Sequence, residues 1–101
     1  MENVTWLQSL GACKGKPAGE LQVGDVMGWN YGYTSTVSAI LSQTVSTITV
    51  EETYQTPIYE KEERATRKFK KNRVVAIVEN GKFQVVNMTQ AEMSLRKKFN
   101  S

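Results

Sequence analysis

The chain has 101 residues, 40% of them hydrophobic and 23% charged, which is the size of one domain and the composition of an ordinary globular protein. It has no histidine and one cysteine, so an internal disulfide, a cysteine-based zinc site and Ser-His-Asp or Cys-His catalysis are excluded. The formal net charge is only +3, no apolar stretch is long enough to span a bilayer, and the first residues do not resemble a signal peptide, so we expect a cytoplasmic protein.

The first 20 residues are predicted to form an N-terminal arm and connector. Residues 3–10 fit either a short helical turn or an extended arm, and the pattern does not decide between them. Residues 11–19 contain three glycines and Pro17, which is typical of a turn-rich connector rather than a strand or helix.

Residues 21–86 are predicted to form a sheet of short strands. Apolar residues between Leu21 and Trp29 indicate the first strand, which ends in a turn at residues 30–32. Residues 34–41 and 44–50 are rich in Thr, Val and Ile, which favour strands, and Ser42-Gln43 is the expected turn between them. Alternation predicts that the buried faces are formed by Val37, Ala39 and Leu41 in one strand and by Ile48 and Val50 in the other.

A charged ribbon follows. Pro57 cannot donate to a strand ladder, so residues 54–57 are predicted to be a loop. Residues 58–70 are polar on both alternating faces, and their only candidate buried anchors are Ile58, Tyr59, Ala65 and Phe69. This pattern predicts an exposed edge strand, whose charges discourage edge-to-edge aggregation.

The strongest local signal is a β-hairpin at Asn80-Gly81. Asn-Gly supplies the two positive φ angles of a type I′ turn, and a two-residue loop pairs Glu79 with Lys82. The side chains that would then share one apolar face, and that we predict to be core, are Ala76, Val78, Phe83 and Val85.

The C-terminal segment, residues 88–99, is predicted to form a helix. Thr89 and Glu92 match a capping box, which starts the helix near Gln90. Leu95 and Phe99 recur at helical spacing and indicate its buried face.

About five short strands followed by one helix predict a mainly β fold, either a small antiparallel barrel or a strongly bent sheet. The run Leu21-Gln22-Val23-Gly24-Asp25-Val26, followed by Gly32 and by Val37 to Ile40, resembles the opening of small Src-homology-3-like and KOW-type barrels, and many small bacteriophage or mobile-element proteins look similar. Intein-like domains share such a run, but the absence of histidine excludes splicing.

Two groups of residues are candidate binding residues. Clustered cations can neutralise phosphates, and aromatic rings can stack on bases or grip a peptide. The cations are Arg64, Arg67, Lys68, Lys70, Lys71 and Arg73; the rings are Tyr31 and Tyr33, next to Trp29. The same features also fit a solvated edge strand and a ring that caps the core.

Other candidate sites are weaker. Asp25 is expected to bond backbone amides in a Gly-Asp turn rather than to act as a catalytic or metal-binding carboxylate. Lys14 and Lys16 would lower the pKa of Cys13, although a structural thiol is the simpler expectation. No cofactor or metal is expected.

The sequence therefore predicts a small binding module that is not an enzyme and that contacts nucleic acid through the ribbon and the aromatic turn. The alternative is an accessory protein that binds a protein partner through the same surfaces.

Overall fold

A computed structural model describes residues 3–56 and 61–100 of the chain. Its eight strands are β1 (Val4–Leu7), β2 (Gly11–Pro17), β3 (Val26–Gly28), β4 (Thr34–Gln43), β5 (Thr47–Thr56), β6 (Lys61–Lys70), β7 (Val74–Glu79) and β8 (Lys82–Phe83). One helix, α1 (Gln90–Asn100), follows them, and two short 3₁₀ turns occupy Ala18–Glu20 and Asn30–Gly32. The mainly β prediction with a C-terminal helix is confirmed.

The strands form one antiparallel sheet in the order β1-β2-β7-β3-β4-β5-β6, with β8 also paired to β7. The sheet has eight strands rather than about five, and it is open at β1 and β6, so the closed barrel of five strands is not confirmed. The longest ladder joins β5 to β6 over ten residues, from Thr47 opposite Lys70 to Thr56 opposite Lys61.

The predicted number of strands was too low because β1 and β2 lie where an arm and connector were predicted. The glycines of β2 suit a strand that another backbone approaches closely. Gly15 pairs with Ala76 of β7, and a Cβ atom at position 15 would collide with the carbonyl oxygen of Val75. Glycine is therefore required by the contact between two strands.

The strands predicted at 34–41 and 44–50 are confirmed with shifted limits, whereas the strand predicted from Leu21 is confirmed only over Val26–Gly28. The turn predicted at Ser42-Gln43 is wrong, because β4 continues to Gln43 and residues 44–46 make the turn, where Thr44 Oγ1 accepts a hydrogen bond from Thr47 N. The loop predicted at 54–57 is also wrong for residues 54–56, which continue β5. The remaining loop residue, Pro57, lies outside the described residues, as do Ile58 and Tyr59.

Alternation fails in β4 and holds in β5. The β4–β5 register shifts between Val37 and Ala39 and again between Ile40 and Ser42. These bulges turn Leu41 to solvent and bring Ile40 against the core, so the predicted face of β4 is wrong beyond Val37. Ile48 and Val50 of β5 are fully buried, as predicted.

The Asn80-Gly81 hairpin is confirmed. Asn80 and Gly81 have φ angles of 53° and 74°, and Val78 pairs with Phe83. However, β8 ends at Phe83, after which Gln84 O accepts a hydrogen bond from Lys14 N of β2. Val85 leaves the predicted face and is exposed, which corrects its assignment to the core.

The core has two clusters, and α1 covers one end of the sheet. The larger cluster is centred on Met27, Ile48 and Phe69, and the smaller one on Leu7, Cys13 and Ala76. Thr89 Oγ1 accepts a hydrogen bond from Glu92 N, which confirms the cap. Among helix residues 90–95, Met93 is buried and Leu95 is exposed, so the predicted burial of Leu95 is wrong. The side chain of Phe99 lies outside the described part of the chain. Within the described residues, no helix is long and apolar enough to cross a membrane.

Replacing Gly15 with Ala should destabilise the protein by about 3 kcal/mol or more, because the added methyl group meets backbone rather than a movable side chain. Gly19→Ala is the matched control, since its Cβ atom would meet only the flexible side chain of Lys71. Urea unfolding should place the control within about 1 kcal/mol of the wild type. Equal costs for the two variants would contradict the close approach of β2 and β7.

Candidate nucleic-acid interface

An open groove lies where β1, the turn after β3 and the start of β7 meet. Its volume is about 310 Å³. We call it the aromatic groove, after the side chains that distinguish its lining: Trp6, Trp29, Tyr31, Tyr33 and Arg73. The structure thus brings three of the predicted binding residues, Tyr31, Tyr33 and Arg73, to one place.

Tyr31 is presented by a firmly held turn. Its φ and ψ angles, 63° and 19°, are left-handed, which is uncommon for a residue other than glycine or asparagine. Tyr31 N donates to the carbonyl of Gln8, and Asn30 Oδ1 accepts a hydrogen bond from Gln8 N, both at 2.9 Å. These two bonds fasten the aromatic turn to the turn between β1 and β2. The Tyr31 side chain nevertheless remains 67% exposed.

Trp29 connects the groove to β6 through a stack in which two neighbouring rings each have an arginine over one face. The Arg67 guanidinium carbon lies 4.4 Å from the centre of the Trp29 ring. Trp29 stacks on Phe69 with ring centres 6.1 Å apart, and Arg73 lies 5.4 Å from the centre of the Phe69 ring. Each arginine is held over a ring face, where the negative quadrupole attracts a cation.

A buried carboxylate anchors this stack. Glu52 is 2% exposed, and both of its oxygens accept hydrogen bonds at 2.9 Å from Arg67, one from Nε and the other from Nη2. Ser35 Oγ donates to Glu52 Oε2 and accepts from Trp29 Nε1. Among the described residues, no buried side-chain nitrogen or oxygen lacks a partner, so this network is complete.

The basic residues of the ribbon do not form one surface. Because strand side chains alternate, Arg67 and Phe69 point to the core side of β6, while Arg64, Lys68 and Lys70 point away from it. Arg64 lies 3.6 Å from Glu51, so both ribbon arginines within β6 face glutamates of β5. The backbone of Lys71 bonds Ser46 and Gly19 in the turn after β6.

The cations that remain for a ligand are fewer than the sequence suggested. In the part of the chain that the structure describes, no carboxylate forms a salt bridge with Lys68, Lys70, Lys71 or Arg73. Lys68 and Lys70 are exposed on the outer face of β6, and Arg73 lines the aromatic groove.

Cys13 and Asp25 have structural roles. Cys13 is fully buried, and burial raises the pKa of its thiol, so the thiolate that Lys14 and Lys16 were thought to favour is disfavoured. Asp25 Oδ2 accepts a hydrogen bond from Gln22 N, as predicted, and also pairs with Lys16. The described residues contain no cluster of three or more possible metal ligands.

Sequence reasoning missed two parts of the site. Trp6 was placed in an arm without a partner, because nothing local indicates that β1 borders the groove. Glu52 was not among the candidate residues, and only the β5–β6 register, which sets it opposite Ala65 and two pairs from Arg67, reveals its contact. Glu52 follows Ile48 and Val50 at the two-residue spacing of one strand face, and this alternation was the available signal.

Removing the Glu52–Arg67 pair should show strong coupling. In a double-mutant cycle with Glu52→Ala and Arg67→Ala, we expect a coupling free energy of about 1–3 kcal/mol, because one partner is buried and two hydrogen bonds are lost. The matched cycle on Glu51 and Arg64, where the guanidinium is exposed and the carboxylate only half-buried, should give about 0–0.5 kcal/mol. Urea unfolding measures both, and equal couplings would contradict the role of the buried pair.

The stability of the protein should fall above about pH 8.5, where an unperturbed thiol loses its proton. The raised pKa means that the native state keeps the Cys13 proton after the unfolded state has lost it, so the free energy of unfolding decreases as pH rises. Cys13→Ala should show a smaller decrease between pH 8 and pH 10 in urea unfolding. An identical pH dependence in both proteins would contradict the assignment.

No protein-family model, curated protein or solved structure matches the chain. The case for a function therefore rests on the aromatic groove, the Glu52 network and the cations beside them.

Proposed function

We propose that this protein is a non-enzymatic module that binds single-stranded nucleic acid at the aromatic groove. Bases would stack on Tyr31 and Tyr33, and Arg73 would pair with a phosphate. Open aromatic surfaces beside cations are the usual means of binding single strands without reading their sequence. A groove that is open rather than enclosed suits a chain that passes through it.

The conformation of Tyr31 is the observation that carries the proposal. A left-handed backbone at a residue of this kind costs of order 1–3 kcal/mol, and strain of this type concentrates at binding sites. The exposed ring does not recover that cost by packing in the core. Glycine or asparagine would suit the turn better, so the tyrosine side chain is explained by a ligand rather than by the fold.

The charges favour nucleic acid as that ligand. Arg64 and Arg67 face glutamates, whereas Arg73, Lys68 and Lys70 form no salt bridge among the described residues. Cations of this kind attract phosphates and release counterions when they bind. We therefore assign the main phosphate contact to Arg73 instead of the whole predicted ribbon. Lys68, Lys70 and Lys71 would be secondary cations.

A protein partner is the second candidate. Tryptophan, tyrosine and arginine are the residues enriched at the energetic centres of protein interfaces, and Trp6, Tyr31 and Arg73 line one groove. Under this alternative the protein is an accessory factor, as in a bacteriophage or mobile element, that blocks or assembles with its partner. Pull-down from a nuclease-treated lysate distinguishes the two functions. Retention of one protein in stoichiometric amount would favour a protein partner, and loss of all co-purifying material would favour nucleic acid.

Tyr31→Asn should weaken binding and strengthen the fold at the same time. We expect affinity for a fluorescent single-stranded oligonucleotide, measured by anisotropy at low ionic strength, to fall about 5- to 50-fold through lost stacking. The free energy of unfolding should rise by up to about 1 kcal/mol, because asparagine tolerates the left-handed backbone. Arg73→Gln should weaken binding and reduce its salt dependence.

Two exposed residues outside the groove lining serve as controls. Tyr54→Asn makes the same change as the groove tyrosine variant, Lys82→Gln likewise removes one positive charge, and both should leave affinity within about twofold of the wild type. Wild-type protein that binds no oligonucleotide at 20 mM salt would overturn the proposal, as would equal losses from the groove variants and the controls.

A further inference from the structure

β6 ends the sheet with an unoccupied edge. Among the described residues it pairs only with β5, so its other side presents unpaired backbone donors and acceptors along ten residues. Such an edge is a template for another strand. Proteins usually guard long edges with like charges, bulges or prolines, and the β5–β6 register contains no bulge.

The charges of β6 are of both signs and are symmetric about Ala65. Glu62 and Glu63 lie on one side of it, and Lys68 and Arg67 lie at the same distances on the other. In an antiparallel pair of two β6 strands with Ala65 opposite itself, Glu63 faces Arg67 and Glu62 faces Lys68. Two-fold symmetry makes each of these contacts twice. The two residues of each pair lie directly opposite each other, so their side chains are on the same face of the sheet and can make contact.

We propose that a second copy of this chain pairs with β6 in this register, which joins two sheets into one across a two-fold axis at Ala65. Over residues 61–69 the pairing supplies about eight to ten backbone hydrogen bonds. The contact is isologous, as in most homodimers, so it closes and does not propagate into fibres.

The side chains needed for the contact are available. Neither Glu62, Glu63 nor Lys68 takes part in a salt bridge within the described residues. Arg67 gives Nε and Nη2 to Glu52, which leaves Nη1 for the partner subunit's Glu63. The guanidinium would then join carboxylates from both copies, so the buried network would continue through the interface.

Neighbouring registers are less favourable. Moving the two-fold axis to Thr66 places Arg64 opposite Lys68, and moving it to Arg67 places Arg64 opposite Lys70. Both arrangements set like charges against each other, which destabilises a cross-strand pair. The register centred on Ala65 is the one of these three that has opposite charges only.

Sedimentation equilibrium with charge variants tests the proposal. The wild type should be dimeric at about 100 µM, and Glu62→Lys should raise the dissociation constant about tenfold or more by placing Lys opposite Lys68. The double variant Glu62→Lys/Lys68→Glu restores opposite charges and should restore dimerisation. Glu92→Lys, on α1, makes the same change of charge elsewhere and should leave the dimer intact. Circular dichroism checks that each variant folds.

A disulfide tests the register independently of charge. With Cys13→Ala as background, Ala65→Cys should cross-link into a covalent dimer under mild oxidation, because the two Cβ atoms meet at the axis. Thr66→Cys should not, since it lies opposite Arg64 of the partner subunit.

A wild-type monomer at 0.5 mM would overturn the proposal, as would failure of the charge swap to restore the dimer. Cross-linking of β6 to an oligonucleotide in a monomeric protein would assign the edge to nucleic acid instead. The groove variants Tyr31→Asn and Arg73→Gln should dimerise normally, so loss of nucleic-acid binding and loss of the dimer are distinguishable.

Discussion

The Glu52 carboxylate is the constraint on which the rest of this structure depends. A buried charge is tolerated only when its hydrogen-bonding capacity is met, and Glu52 meets it with a guanidinium from β6 and a hydroxyl from β4. That hydroxyl, of Ser35, is in turn the acceptor for the Trp29 indole. One carboxylate therefore sets the relative positions of β4, β5, β6 and the tryptophan at the entrance to the aromatic turn.

The same network divides the positive charge of the protein into two classes. Arg67 gives Nε and Nη2 to Glu52 and lies over the face of Trp29, so it stiffens the wall behind the groove. Arg73, at the other end of the stack, covers Phe69 and lines the groove. Of the ribbon cations that form no salt bridge among the described residues, Arg73 lies beside the rings of the groove, whereas Lys68 and Lys70 lie on the outer face of β6.

The sequence predicted features that local chemistry dictates and missed those that depend on distant strands. The Asn80-Gly81 turn, the Thr89 cap and the burial of Ile48 and Val50 follow from residues close in the chain. The basic run after Glu63 looked continuous, but alternation along β6 and the turn at 71–73 distribute it over separate surfaces. Bulges in β4 and the close approach at Gly15 depend on partner strands that no local pattern specifies.

Departures from local backbone preference are informative in this chain. Gly15 departs from strand preference, and the neighbouring backbone explains it fully. Asn80 departs from the usual sign of φ, and its hairpin explains that. Tyr31 also has a positive φ. The turn uses only its backbone, which is hydrogen-bonded to Gln8, and its ring is exposed to solvent. Tyr31 therefore differs from Gly15 and Asn80, because neither its turn nor the core accounts for its exposed ring.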